Sequence, residues 1–208
     1  MATEWCAAGL AEDVPPKVVI PAQLGGVELA IWRSASGKLS AWKDRCPHRG
    51  MRLSHGFVRG ETLSCIYHGW VYSTSGACQH IPAHPELTPP SAIRAEAYDC
   101  VESGGVLWLA VAGTAQSLPD LTGLSPVRSL VINASVAQIA AAAGLQGDAM
   151  LRSKIALKGQ MVDVCLLLQQ RAADVAVHAL CADAAAQNVN VSRWLEDLRR
   201  TAEGGIAA

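Results

Sequence analysis

At 208 residues, half of them apolar and 17% charged, the chain is long enough to bury a real core as one domain or two small ones. Its net charge of −1 argues against a nucleic-acid partner, which would call for a basic stripe. No run of about 18 apolar residues occurs, so no membrane span is expected, and MATEWCAAGL lacks the basic start and long apolar run of a signal peptide.

In chain order, residues 1–16 form a leader with little pattern, which Trp5 is placed to anchor. Lys17–Ile20 is a short strand candidate, followed by turn chemistry at Leu24-Gly25-Gly26. Val27–Arg33 alternates apolar and polar residues in its first half and reads as a strand; Leu39–Lys43 pairs back after a turn. This delivers the chain to Cys46-Pro47-His48-Arg49-Gly50. Next, Phe57-Val58 and Thr62–Cys65 flank a tight turn at Arg59-Gly60-Glu61. An echo of the first motif follows at Cys65-Ile66-Tyr67-His68-Gly69-Trp70. Trp70–Tyr72 and Ala77–His80 are short strands around Ser73–Gly76. Pro82–Pro90, with four prolines, is a covering loop. Ala95–Glu102 and Val106–Val111 make a hairpin around Gly104-Gly105. Short strands with such frequent turns suit a small all-β domain.

The stretch from Gly113 to about Arg128 is rich in Gly, Pro, Ser and Thr and reads as a linker. Ser135–Ala143 is expected to be a short helix, capped by Asn133 or Ser135 and stopped by Gly144. Gln160–Leu168, within Ile155–Gln169, and Val175–Cys181 read as neighbouring strands joined by a turn at Gln169–Asp174. A final helix is expected from Ser192, with Trp194, Leu195 and Leu198 on one face, Glu196 paired to Arg200, and Gly204 at its end.

Each of the two motifs supplies one thiol and one imidazole. Cys46, His48, Cys65 and His68 together can hold a [2Fe–2S] cluster, two sulfurs on one iron and two nitrogens on the other. Each cysteine must then be a thiolate and each histidine neutral. The rival is a structural zinc site, but such sites usually draw cysteines as C-x₂₋₄-C pairs, and none occurs here. The other five cysteines, Cys6, Cys78, Cys100, Cys165 and Cys181, lack framework spacing. With no secretion signal they are expected as reduced thiols in a cytoplasmic protein.

The strings CPHRG and CIYHGW, with Ser75-Gly76 and Ile81-Pro82 in the same order, resemble the Rieske domains of the non-haem iron oxygenases, the ring-hydroxylating and demethylating type. The likeness runs from about Val18 to Ala112. It implies an α+β chain: an N-terminal all-β Rieske domain over 1–113, a linker over 114–130, and over 131–208 a small α/β remnant resembling the tail of a helix-grip catalytic domain. The resemblance implies Cys46, His48, Cys65 and His68 as the ligands of a [2Fe–2S] cluster. Tyr72 is then either a plain strand aromatic or a donor to a ligand sulfur, and Cys78 either a small core residue or packing beneath the loops. Respiratory relatives carry a disulfide between the loops and a serine after the second glycine. Here Met51, Tyr67 and Trp70 stand at those places, so a potential near about −150 mV is expected. Arg49, Arg52 and Arg59 either steer a redox partner or, as expected here, form an ordinary solvated face, and His55, His80 and His84 are expected at the surface or in turns.

The full oxygenases hold a second, mononuclear iron on two histidines and a carboxylate. Of six histidines, only His178 follows His84. With Asp174 or Asp183 it makes at most a partial set, and it reads as a histidine packed at a sheet face. The chain is therefore expected to relay electrons from a reductase or ferredoxin to an oxygenase site on another chain, within a homo- or hetero-oligomer. The alternatives are a free-standing Rieske ferredoxin and a non-catalytic redox-sensing or structural subunit.

Overall fold

The computed structural model describes residues 4–111, 113 and 116–204. Linker positions 114 and 115 and both chain ends lie outside the described residues. The chain divides into two units. The first is built from Ala11–Glu102 and Leu107–Gln116; the second from Cys6–Leu10, Ser103–Val106 and the chain from Ser117 onward. The first strand, β1 (Cys6–Leu10), thus belongs to the second unit.

In the first unit, β2 (Val19–Leu24), β3 (Val27–Arg33) and β4 (Leu39–Lys43) form a meander. A two-residue turn joins β2 to β3, with Gly25 and Gly26 both at positive φ, the conformation a tight hairpin needs. Four short strands follow: β5 (Phe57–Arg59), β6 (Thr62–Ser64), β7 (Val71–Ser73) and β8 (Cys78–His80). They pair in sequence order as a separate small sheet. The hairpin of β9 (Ala97–Ser103) and β10 (Val106–Ala110) returns to the larger sheet, within which these strands run in the order β10-β9-β4-β3-β2. The core gathers Ala30, Trp32, Trp42, Leu53, Leu63, Tyr72 and Ile81 together with Cys46, Cys65 and Cys78. Trp32 meets Trp42 edge-on at 5.1 Å, and Trp42 meets Tyr72 edge-on at 6.2 Å. Such aromatic pairs add about 1 kcal/mol each beyond the area they bury. They fix the floor on which the two motif loops stand. Trp5 does anchor its segment: its indole N–H donates to the Gln116 carbonyl at 2.8 Å.

In the second unit, β11 (Ser125–Ile132), β12 (Met150–Leu157), β13 (Gln160–Gln170) and β14 (Val175–Cys181) form an antiparallel sheet in the order β11-β14-β13-β12. Helices α1 (Val136–Ala143) and α2 (Ala184–Ala202) share its apolar core, where Ile139, Val191, Leu195 and Leu198 join Leu166, Leu168, Val177 and Ala179. The α1 boundaries follow local chemistry: Ser135 and Gln138 form a capping box, and Gly144 closes the helix in the left-handed region.

Several expectations need correction. The stretch read as linker up to 130 contains the start of β11 at Ser125. Strand β12 was not expected as a separate element. Arg152 and Lys154 lie on its exposed face and break up its apolar signal, yet it pairs with β13 over eight positions. Helix α2 starts at Ala184, two turns before Ser192; in its first turns a polar residue, Gln187, occupies an inward position, where it donates to Gln160 at 2.7 Å, and so interrupts the apolar pattern. Glu196 pairs with Arg199 and Arg128 rather than Arg200, which pairs with Asp197.

Candidate metal centre

The two motifs fold into the same backbone device. In the first loop, Cys46 N–H donates to the Met51 carbonyl at 2.7 Å and Gly50 N–H to the Cys46 carbonyl at 2.8 Å. In the second, Cys65 N–H donates to the Trp70 carbonyl at 2.9 Å and Gly69 N–H to the Cys65 carbonyl at 3.0 Å. Gly50 and Gly69 stand at φ 71° and 70°, a turn that a side chain would strain. The second loop joins β6 to β7. The first leaves β4 and re-enters at a 3₁₀ turn, Leu53–His55.

All four predicted ligands come together. Cys46 and Cys65 are buried, 3% and 2% exposed. The two thiols belong to one buried cluster; burial first, and then Cys46, push the Cys65 thiol up from its ordinary range. His48 is half-buried and His68 exposed, with ring centres 4.7 Å apart. Trp70 stacks on His48 at 4.3 Å with rings 6° from parallel, and Tyr67 lies 3.8 Å from His68. Desolvation, then His68 and Arg49, hold the His48 imidazole below its usual range, favouring the neutral ring that metal ligation requires.

The donor set fits a two-iron cluster. His48 Nδ1 is buried without a hydrogen-bond partner, and an orphaned polar atom of this kind calls for an explanation such as an ion. Among the described residues no three His, Cys, Asp or Glu side chains form a group that could hold a single metal ion. Two thiols and two imidazoles divided between two irons need no such trio.

Around the predicted ligands, the Tyr72 hydroxyl lies 3.1 Å from Cys46 Sγ, which favours the sulfur-bonding role over that of a plain strand aromatic. Cys78 is both things proposed for it, a buried core residue and a neighbour of the loops. His55, His80 and His84 are exposed, as are Arg49 and Arg59. Arg52 departs from the expected solvated face: it pairs with Glu28 and with buried Asp44, at 3.7 Å from the latter. Sequence reasoning missed Glu28, Asp44, Ser54 and the stacking role of Trp70. Only the closeness of Asp44 and Arg52 to the first motif hinted at them.

In the second unit, His178 is buried and its Nδ1 lies 2.8 Å from Ser129 Oγ, while Nε2 has no partner. Asp174 pairs with Arg171, and Asp183 sits at the start of α2. A groove of about 600 Å³, lined by Val127, Arg128, Val189, Ser192, Arg193 and Glu196 among others, runs between β11 and α2.

Residues 4–96 match the family model of the Rieske [2Fe-2S] domain. The chain is 44% identical over 106 residues to "Oxidoreductase NdmD" of Pseudomonas putida, a match covering 50% of this chain and 18% of that protein. It is 38% identical over 109 residues to a 4beta-methylsterol monooxygenase of Methylococcus capsulatus, covering 50% of this chain and 29% of the relative. The matches thus span less than a third of the length of these curated relatives. Among solved structures, Pseudomonas putida CBB5 NdmA superposes with a TM-score of 0.74 at 16% identity, covering 96% of this chain and 78% of that one. Apo dicamba monooxygenase does so with a TM-score of 0.73 at 16% identity, covering 97% and 84%. These structures share the α+β fold.

Proposed function

We propose, for a chain whose residues 4–96 are a Rieske [2Fe–2S] domain and so bind a [2Fe–2S] cluster, that Cys46, His48, Cys65 and His68 are the four ligands and that the chain relays electrons. It accepts them from a reductase or ferredoxin and passes them to a mononuclear iron oxygenase site on another chain. The observation that carries the ligand assignment is that two like-folded loops present two buried thiols and two neighbouring imidazoles, one exposed and one with an orphaned, buried Nδ1.

When bound, the cluster supplies one-electron chemistry. The protein's own residues supply the rest. Cys46 and Cys65 hold the dry side of the site against Trp42, Leu63 and Tyr72. His68 is exposed and His48 half-buried beside it, ring centres 4.7 Å apart, so the edge that meets a redox partner is a pair of conjugated rings. Trp70 fixes the plane of the His48 ring. Tyr72 is placed to donate a hydrogen bond to Cys46 Sγ.

The oxygenase site is placed elsewhere because, within these 208 residues, His178 alone follows His84, and its Nδ1 is engaged by Ser129. We assign 1–113 to the Rieske domain, 114–130 to a connection that includes the start of β11, and 131–208 to a shortened helix-grip-like region. Seven free thiols suit a reducing, cytoplasmic setting.

Iron and acid-labile sulfide analysis with electron paramagnetic resonance of the reduced protein tests the reading. Two irons and two sulfides per chain, and a Rieske-type signal lost in His48→Ala, are expected. Zinc in place of iron would overturn it. Iron beyond two per chain would overturn the placement of the oxygenase site on another chain.

A further inference from the structure

The two ligand loops share a backbone but not an anchor. The second loop is closed at its base by the β6–β7 ladder, in which Ser64 pairs with Val71 directly beside the loop. The first has no such ladder, since β4 pairs with β3 and β9 and the chain leaves the loop into a 3₁₀ turn. Side chains take the ladder's place. Asp44, just before the loop, is fully buried, and its carboxylate accepts from Ser54 N–H at 2.7 Å and from Ser54 Oγ–H at 2.6 Å. Ser54 lies just after the loop, so these bonds tie entry to exit. Arg52, also on the exit side, lies 3.7 Å from Asp44 and pairs with Glu28 on β3. Arg45, on the entry side, donates to the same Glu28 at 2.7 Å. Asp44 N–H donates to the Glu28 carbonyl at 2.9 Å. Four charges therefore balance to zero around one loop base, with one of the anions wholly out of water.

We infer that Asp44 and Arg52 are positioning residues for the first ligand loop and that their opposite charges bias the potential of the bound centre in opposite directions. The inference rests on the proposed ligand set. A buried carboxylate beside Cys46 disfavours an added electron, and the guanidinium that partners it favours one. Together they nearly cancel. Removing either alone leaves the other uncompensated in a poorly screened setting. Because the clamp grips only the first loop, the effect on geometry falls on Cys46 and His48 and leaves the second loop in register.

The test is the midpoint potential of the cluster-loaded full chain, measured for Asp44→Asn, Arg52→Gln and the double variant, alongside electron paramagnetic resonance of each reduced form. Asp44→Asn is expected to raise the potential, Arg52→Gln to lower it, and the pair together to return it toward the parent value. The single variants are also expected to broaden the reduced-state signal. Shifts of the same sign in both single variants, or unchanged potentials in variants that retain the cluster, would overturn the inference. Should Asp44→Asn not fold, Glu28→Gln removes the other anion at a half-exposed position and is expected to raise the potential; a fall would count against the clamp. A parent protein that binds no iron and sulfide would refute the ligand assignment itself, an outcome distinct from failure of the clamp.

Discussion

The hydroxyl of Tyr72 and the sulfur of Cys46 lie 3.1 Å apart in a fully dry part of the first unit. Burial and the neighbouring cysteines drive the phenol well above its ordinary range, so it stays a proton donor. A donor to a ligand sulfur stabilises the more negative, reduced centre. Replacing Tyr72 with Phe is therefore expected to lower the midpoint potential by about 50 mV, the equivalent of roughly 1 kcal/mol for one electron. A redox titration checks this; an unchanged potential would mean that the hydroxyl bonds elsewhere once the centre is loaded.

The two loop glycines predict unequal costs. A Cβ on Gly50 meets open space, so Gly50→Ala carries only the left-handed backbone penalty, about 1–2 kcal/mol. A Cβ on Gly69 lies 3.0 Å from the Pro82 ring, so Gly69→Ala adds a clash to that penalty. Thermal melts and iron content should rank the variants with Gly69→Ala the worse.

Exchange of His68 for Cys is expected to keep a cluster and lower its potential, because a neutral ligand becomes an anion. Cys46→Ser or Cys65→Ser is expected to lose the cluster along with much of the unit's stability, since binding and folding are coupled. Absorbance spectra and melting curves of the purified variants decide both.

His178 gives the second unit an acid-sensitive core. Burial holds its pKa down to about 4, against an ordinary value of 6.5. The unfolded chain then binds a proton that the folded chain refuses, so stability falls as the pH drops from about 6.5 toward 4 and levels off below. The full difference corresponds to roughly 3 kcal/mol. Chemical denaturation between pH 7 and 4 should show this loss, and His178→Gln should flatten it. A parent slope unchanged in the variant would sink the assignment.

What the residues disclosed in advance divides along a physical line. Motif spacing is chemistry written locally, so the two loops that carry Cys46, His48, Cys65 and His68 were legible. So were the Ser135 cap and the Gly25-Gly26 hairpin, where a few neighbouring residues decide the backbone. Asp44 was not, because its partners Glu28 and Ser54 stand 16 and 10 residues away in the chain and no local pattern joins them. Strand β12 and the start of α2 were obscured where charged or polar residues interrupt the apolar period: Arg152 and Lys154 on an outer face, Gln187 on an inner one.

The uneven wetting of the four side chains, both thiols buried and the His68 ring exposed, would give a centre held by them a weak side. A chelator or oxidant diffusing in from bulk water meets His68 first, beside an exposed Tyr67, while Trp70 shields one face of His48. Attrition of the loaded protein should therefore begin at the imidazole end, and crowding that rim with bulkier side chains should lengthen its shelf life in air.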